Sequence, residues 1–401
     1  MIVANQPPMG RSDIAALTDL IISDIFDNHR GFLPGAGGRP ADVRQQLEGP
    51  ILLDGLGEEE ALLILSILPR TASQIWLAPM DKGLSGAKVL RARYSDEAGR
   101  FSKQFVVKVD IARKIDREAD AVERLCSPYL PGIEFPVRRR GSHLGLIAQE
   151  LRGLSIHANV ESLRNYIRST RTGSKIIARL VRERLAPWYE PGIQGGLHPI
   201  KLGKLLDPYL AKGASSSIFP PEWSDLQDWV EEICQVPWRE PGDQVAVMRE
   251  RSIDVPLSIS HGDLHSQNVL VDSTSRECWP IDFAWCRDDG SLVVDLVMLE
   301  VSLKNLSIPM QADLREMLRL EWQLCNSYQG VRVPSNMPYA TVVKSVLEGV
   351  QEVRRFAEES GISFDHYRSC LCLMTLAHAA HPKLNRPLVL GATQMMLGLE
   401  Q

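Results

Sequence analysis

The spacing of hydrophobic residues divides the first 150 or so positions into a helical part and a strand-rich part. Apolar side chains recur at helical spacing over residues 12–28, 41–47 and 58–68. After about residue 72 the pattern favours strands at 74–78, 87–94, 101–110 and 144–151, with one helix at 114–125. We therefore predict a helical extension over residues 1–72 and a small α+β lobe over residues 73–152.

Residues 153–401 have the pattern of a larger, mainly helical lobe. Residues from about 157 to 255 predict helices separated by Pro- and Gly-rich connections, and we interpret them as a helical insertion in this lobe. Strand-like runs follow at 269–272 and 279–283, and further helices are predicted at 295–306, 312–325, 339–358 and 367–378. The expected fold class is α+β with two lobes.

Composition and charge exclude several classes of protein. Hydrophobic residues are 44% and charged residues 24% of the chain, as in an ordinary globular protein. The formal net charge is -5, so we expect neither nucleic acid nor an anionic membrane surface as a partner. The basic run Arg138, Arg139 and Arg140 is the main exception, and we interpret it as a solvated turn.

Cysteine usage and hydropathy indicate the compartment. The chain has seven cysteines, an odd number without a CxxC pair, which predicts no disulfide framework. No apolar run approaches the roughly 20 residues that span a bilayer, and the N-terminus has no secretory pattern. We therefore expect a cytoplasmic protein without a membrane span.

The strongest chemical signal is His261-Gly262-Asp263-Leu264-His265, followed by Asn268 and then by Ile281-Asp282-Phe283. Phosphoryl transfer needs a carboxylate near the attacking hydroxyl and hard oxygen ligands for magnesium. An Asp in a loop, an Asn five positions later and an Asp after the next strand supply such a set. An Asx-rich turn with capping carboxylates would not explain why all three residues occur at these positions.

This pattern resembles the aminoglycoside phosphotransferase and choline kinase group, whose catalytic loop is typically HGDxxxxN with a later ID[FW]. The resemblance implies a protein-kinase-like fold and an ATP- and Mg²⁺-dependent transfer to a small-molecule hydroxyl, with GTP as the alternative donor. It implies Asp263 as the catalytic base or as a carboxylate that orients the hydroxyl, Asn268 and Asp282 as magnesium ligands, and His261 and His265 as residues that shape the loop. The resemblance covers residues 76–306, and Asp295 lies where this group often has a structural Asp.

The same resemblance implies a nucleotide site in the small lobe. Lys108, near the end of an apolar strand, is expected to contact the phosphates, with Glu118 of the next helix orienting it. Glu123, on the same helix, is the alternative partner. Gly83, Ser85 and Gly86 lie between two predicted strands and suit a loop that covers phosphates, although a plain hairpin turn has the same pattern.

The strand at 144–151 resembles the connection between kinase lobes. We expect backbone groups of Gln149, Glu150 and Leu151 to contact the adenine edge. An ordinary core strand is the alternative, because the local pattern is the same for both.

Two other functions fit parts of the sequence. His261, Asp263 and His265 alternate as metal ligands on a strand would, which suits a metallohydrolase. A kinase-like module that binds partners in a bacterial signalling or conflict assembly would retain the fold without strong catalysis. The N-terminal helices would then dock a protein partner or form a dimer.

The acceptor of the phosphoryl group is not determined by these motifs. A cationic acceptor calls for acidic or aromatic side chains around it. The insertion supplies Trp188, Tyr189, Glu190, Trp223, Asp225, Trp229, Glu231 and Glu232.

Overall fold

The computed structural model describes residues 56–68, 72–80, 87–96, 98, 105–130, 133, 136–150, 160–169, 173–210, 224–235, 237–238, 241–326, 328, 331–379 and 384–399. The helices expected at 12–28 and 41–47, the loop at 81–86 and Leu151 lie outside these residues. The chain divides into two compact units. The first unit consists of Met1–Glu123 and Gly132–Ala158, and the second consists of Arg124–Pro131 and Asn159–Gln401.

The first unit is built on an antiparallel sheet of five strands in the order β1-β2-β3-β5-β4. These strands are β1 Ala72–Pro79, β2 Lys88–Asp96, β3 Phe105–Ile111, β4 Val137–Arg140 and β5 Leu144–Glu150. Helix α1 is Glu58–Leu65, helix α2 is Ala112–Ala121, and a π-helical turn, Val122–Cys126, follows α2. The strands expected from the sequence are present, with ends displaced by a few residues.

The two faces of this sheet pack against different helices. Leu63 and Ile64 of α1 join a hydrophobic cluster with Val107, Val109, Leu146 and Ala148. On the opposite face, Gly145 lies under α2, where an added Cβ would come within 3.1 Å of the Ala112 backbone. Since alternate strand residues point to opposite faces, β3 and β5 carry one apolar face and one face directed toward α2.

The arginine run is an edge strand, so its interpretation as a solvated turn was wrong. Arg138, Arg139 and Arg140 form most of β4, which pairs with β5. Arg138 donates to Asp120 at 2.8 Å, and Arg140 lies 3.4 Å from Asp116. Both carboxylates belong to α2. Charged side chains are common on edge strands, and here a neighbouring helix supplies the opposite charges. The local sequence does not reveal this pairing.

The second unit consists mainly of helices with two small antiparallel sheets, ordered β10-β9-β6 and β11-β8-β7. Its strands are β6 Val160–Ser162, β7 Leu197–Lys201, β8 Ser252–Ser260, β9 Val269–Asp272, β10 Cys278–Pro280 and β11 Arg287–Ser291. Its helices before β8 are α3 Leu163–Ser169, α4 Gly173–Arg179, α5 Ala186–Gly195, α6 Leu202–Leu210, α7 Ser224–Cys234 and α8 Pro241–Glu250. Those after β11 are α9 Leu292–Ser302, α10 Leu314–Cys325, α11 Ala340–Glu359, α12 Phe364–His378 and α13 Arg386–Leu399.

The region expected to be a mostly helical insertion also contains strands. Strand β7 lies inside it and pairs with β8, whose residue Pro256 is opposite Leu197. Proline normally argues against a central strand because it has no N–H to donate. Here β8 is central, and the carbonyl oxygen of Pro256 accepts a hydrogen bond from the Ser291 hydroxyl at 2.7 Å.

Helix α9 is the centre of the second unit, with all of its residues buried. Glu300 accepts two hydrogen bonds from Arg354, at 2.6 and 2.9 Å, and one from Tyr367 at 2.8 Å. Lys304, just beyond α9, lies 3.1 Å from Glu300 and 2.8 Å from Glu321. Burial alone would raise the pKa of Glu300, but the two cations outweigh it and lower the pKa to about 2.

Candidate active site

The loop between β8 and β9 contains the predicted catalytic residues and is fixed by a carboxylate of α9. Asp295 accepts hydrogen bonds from the backbone N–H groups of His261, at 2.7 Å, and Gly262, at 2.8 Å. The hydroxyl of Tyr189 donates to the same carboxylate at 2.9 Å. Burial raises the pKa of Asp295 to about 7, against the effect of these hydrogen bonds. The start of the loop is therefore held by a fully buried acceptor.

Gly262 requires the freedom of glycine. Its φ is +75°, and an added Cβ would lie 2.4 Å from the carbonyl oxygen of Trp285. The hydroxyl of Tyr209, on α6, donates to the Gly262 carbonyl oxygen at 2.5 Å. Tyr209 also packs on Trp285, with ring centroids 6.4 Å apart. The peptide groups on both sides of Gly262 are thus hydrogen-bonded, one to Asp295 and one to Tyr209.

Asp263 and Asn268 lie next to each other across the loop. The Asn268 amide nitrogen donates to the Asp263 carbonyl oxygen at 2.9 Å and lies 3.4 Å from the Asp263 carboxylate. Asn268 is buried, whereas about a third of the Asp263 side chain is exposed, with 32% of its surface accessible. A buried amide thus supports a carboxylate that solvent or a ligand can reach.

The two loop histidines make mainly local hydrogen bonds. His261 Nδ1 accepts from the Asp263 N–H at 3.3 Å, so its proton is on Nε2, which lies 2.9 Å from the Ile281 carbonyl oxygen. His265 Nδ1 accepts from the Gln267 N–H at 3.2 Å, and its Nε2 lies 3.8 Å from Asp263. His261 therefore links the loop to the residue directly before Asp282.

Asp282 has a backbone conformation that is rare for a residue with a side chain. Its φ is +66°, between β10 and the 3₁₀ turn Phe283–Trp285. The N–H of Ile281 donates to the carbonyl oxygen of Asn268 at 2.9 Å, so the segments of Asn268 and Asp282 are adjacent. Left-handed backbone at non-glycine residues is concentrated at functional sites.

A second contact from α9 fixes the far end of the loop. The Ser302 hydroxyl accepts from the Ser266 N–H at 2.8 Å and donates to the Leu299 carbonyl oxygen at 2.9 Å. Ser302 lies seven residues after Asp295, which is close to two helical turns and places both on one face of α9. Neither Ser302 nor Tyr209 carries a local sequence signal, and both were missed by the sequence analysis.

In the first unit, the structure brings Lys108 and Glu118 together. Lys108 Nζ lies 2.7 Å from Glu118 Oε2, and both residues are buried. Glu123, the alternative partner, lies beyond the end of α2 in the turn Val122–Cys126. The geometry thus selects Glu118, while the role of this pair in nucleotide binding stays a prediction.

The other predicted nucleotide contacts are described only in part. Gly83, Ser85, Gly86 and Leu151 lie outside the described residues. Gln149 and Glu150 end β5, opposite Val106 and Phe105 of β3.

Among the residues that the structure describes, no cluster of three or more His, Cys, Asp or Glu side chains could hold a metal ion. His261, Asp263 and His265, the ligands of the metallohydrolase alternative, do not form such a cluster. The donor set of Asn268 and Asp282 consists of oxygen atoms, which is the ligand type that magnesium prefers.

The aromatic residues expected near an acceptor differ in their surroundings. Trp188 and Tyr189 are fully buried, and the Trp188 indole N–H donates to the Leu125 carbonyl oxygen at 2.8 Å. They are core residues that a ligand does not reach.

No helix of the described segments is long and apolar enough to cross a membrane.

These features define an α+β chain of two lobes, with a small sheet lobe and a larger helical lobe. A family model described as ternary complex associated domain 9 matches residues 222–385, which is less than half of the chain but includes residues 261–282, the predicted catalytic motif. No curated protein matches the sequence significantly.

Solved structures with similar folds include small-molecule phosphotransferases. A spectinomycin phosphotransferase, determined with ADP and spectinomycin, is 14% identical over 76% of this chain and 82% of its own, with a TM-score of 0.37. An aminoglycoside phosphotransferase from Streptomyces rimosus is 15% identical over 75% and 92%, with a TM-score of 0.35. An ethanolamine kinase of Plasmodium vivax is 10% identical over 97% and 95%, with a TM-score of 0.29. Because these scores are below 0.5, the fold assignment rests on the strand order and helix placement above.

Proposed function

We propose that this chain is an ATP- and Mg²⁺-dependent phosphotransferase that moves the γ-phosphoryl group to a hydroxyl of a small molecule. The observation that carries the proposal is the hydrogen bond of the Asn268 amide to Asp263, in a loop whose start is fixed by Asp295. A fixed, partly exposed carboxylate beside a second oxygen ligand is what transfer to a hydroxyl requires.

In this mechanism Asp263 orients the acceptor hydroxyl and takes its proton as the phosphoryl group is transferred. Lys108 binds phosphate oxygens, and the buried Glu118 carboxylate holds its ammonium group in place. Magnesium, when bound, would be held by Asn268 and Asp282 and would neutralise phosphate charge. His261, through its contact with the Ile281 carbonyl oxygen, keeps the loop in register with the Asp282 segment.

The proposal includes the domain roles expected from the sequence. Residues 73–152 would bind the nucleotide, residues 153–401 would carry the catalysis, and residues 1–72 would form an extension. All seven cysteines are free thiols, which suits a reducing cytoplasm. The acceptor class is a sugar-like, aminoglycoside-like or amino-alcohol molecule, in keeping with the small-molecule kinases named above.

The test is a phosphate-transfer screen over aminoglycosides, choline, ethanolamine, sugars and nucleosides, with ATP and GTP compared. We expect magnesium-dependent turnover with at least one acceptor, and its loss in the Asp263→Asn variant. Turnover that is equal in parent and variant would refute the mechanism.

A second candidate is a kinase-like module that binds partners in a larger assembly. It is favoured by the family match, whose description names association with a ternary complex. This candidate predicts nucleotide binding without turnover, and co-purification of defined protein partners that survives the Asp263→Asn change. Acceptor-dependent turnover that requires Asp263 would argue for the enzyme instead.

A further inference from the structure

Gln149 is a buried glutamine with an unused hydrogen-bond donor. Its side chain is 6% exposed, and its Nε2 has no hydrogen-bond partner among the described residues. A buried donor without a partner destabilises a folded protein, because the group has lost its bonds to water without replacement. Such a group in a native structure calls for an explanation, and a ligand that accepts the hydrogen bond supplies one.

The register of the sheet places Gln149 on the same face as Lys108. Gln149 is opposite Val106, and Lys108 is opposite Ile147. Directly opposed residues of antiparallel strands share a face, and residues two apart along a strand do so as well. Gln149 and Lys108 are therefore diagonal neighbours on adjacent strands, about 7–8 Å apart.

The other face of the same strands is closed to ligands. Val107, Val109, Leu146 and Ala148 pack there with Leu63 and Ile64 of α1. The Lys108 face carries the ion pair with Glu118 and, at the Gly145 end, is covered by α2. Gln149 lies at the opposite end of β5 from Gly145, beyond the ion pair. If the phosphates of a nucleotide contact Lys108, its sugar and base would lie along this face, toward Gln149.

We propose that the Gln149 side chain hydrogen-bonds the nucleobase and selects adenine over guanine, an inference that rests on the proposed function. A carboxamide presents a donor and an acceptor side by side, which complements the N7 acceptor and the N6 amino donor of adenine. Guanine presents two acceptors, N7 and O6, along the same edge, so only the amide donor of Gln149 would be satisfied. The consequence is a preference for ATP, which the sequence motifs left open.

The test is the Gln149→Met variant, which keeps the side-chain volume and removes the hydrogen-bonding groups. The free protein should become more stable, with a rise in Tm of about 2–4 °C if the unsatisfied donor costs the amount typical for such groups. Calorimetry should find ATP bound roughly tenfold more weakly, a difference of about 1.4 kcal/mol. The ratio of ATP to GTP affinity should fall toward one, while inorganic tripolyphosphate should bind as in the parent.

Gln394 supplies a matched control. It is a similarly buried glutamine on α13, in the other unit, and it does have a noncovalent partner. Gln394→Met should lower the Tm and leave the ATP to GTP ratio unchanged.

The outcomes separate failure of this inference from failure of the proposed function. If the parent binds ATP and Gln149→Met binds ATP and GTP as the parent does, the base-selecting role of Gln149 is wrong and the proposed function stands. A Tm of Gln149→Met below that of the parent would also overturn the inference, since the amide would then have a partner in the free protein. If the parent binds neither ATP nor GTP, both proposals fail.

Discussion

The hydroxyl of Tyr209 donates a hydrogen bond to the carbonyl oxygen of Gly262 at 2.5 Å, directly before the predicted catalytic residue Asp263. The two residues are 53 positions apart, and Tyr209 belongs to the region expected to be an insertion. Gly262 is also bonded to Asp295 through its N–H group. Through this contact, helix α6 supports the loop that contains Asp263.

Tyr209→Phe should therefore slow turnover without weakening nucleotide binding. One neutral hydrogen bond contributes about 0.5–1.5 kcal/mol, so we expect kcat to fall by roughly 2- to 12-fold. The KM for ATP should stay the same, because Tyr209 acts on the loop and lies in a different unit from Lys108. Tyr129→Phe, at an exposed tyrosine, is the control. An unchanged kcat in Tyr209→Phe would mean that the contacts of Asp295 and Ser302 fix the loop without Tyr209.

Asp263 and Asp282 should have separable roles. Asp263→Asn removes the proton acceptor, so turnover should fall by roughly 10²-fold or more while ATP binding persists. Asp282→Asn weakens an oxygen site for a hard cation, so magnesium-dependent ATP binding and turnover should both fall. Calorimetry with and without magnesium, together with phosphate-release assays, measures both effects. Equal loss of ATP binding in the two variants would contradict this division.

The Lys108–Glu118 pair should be required for nucleotide use. Lys108→Ala removes the cation that contacts phosphate, and we expect ATP affinity or turnover to drop by roughly tenfold or more. Glu118→Gln should have a milder effect of the same kind, since the lysine remains but loses its charged partner. Lys114→Ala, at a more exposed lysine beside Asp110, is the control. If Lys108→Ala has the same ATP affinity and turnover as the parent, Lys108 does not contact the phosphates.

The buried cluster around Glu300 predicts a dependence of stability on acid. The folded-state pKa of Glu300 is lowered from 4.5 to about 2 by Arg354 and Lys304 against its burial. Its contribution to stability is therefore fully present above pH 4.5 and is lost as the pH falls toward 2. Glu300→Gln should remove this part of the pH dependence and lower the free energy of unfolding near pH 7 by about 3–5 kcal/mol, because Arg354 then lacks its buried partner.

Urea unfolding of parent and Glu300→Gln between pH 2 and pH 6 measures this effect. The two curves should converge as the pH falls. Glu232→Gln, at an exposed carboxylate, serves as the control and should follow the parent within about 0–1 kcal/mol. A constant difference between Glu300→Gln and the parent over this range would mean that Glu300 does not titrate there.

Much of the fold was predictable because its signals are local. Short β-rich and apolar segments predicted the strands of the first unit, and helical spacing predicted α10, α11 and α12 to within a few residues. The expected two-lobed α+β class is confirmed. The arginine strand β4 was misinterpreted because Asp116 and Asp120, which neutralise it, are supplied by another element. Strand β8 was missed because Pro256 interrupts its pattern.

The sequence by itself determined which side chains could serve phosphoryl transfer and in what order they occur along the chain. Asp263 and Asn268 are only five residues apart, so chain connectivity alone keeps them close, and their hydrogen bond could be anticipated from that spacing. Tertiary structure decided which residues hold them. Asp295, Ser302 and Tyr209 contact the loop across 33, 36 and 53 residues of sequence. Such contacts depend on how buried helices pack against the loop, and local spacing carries no record of that packing.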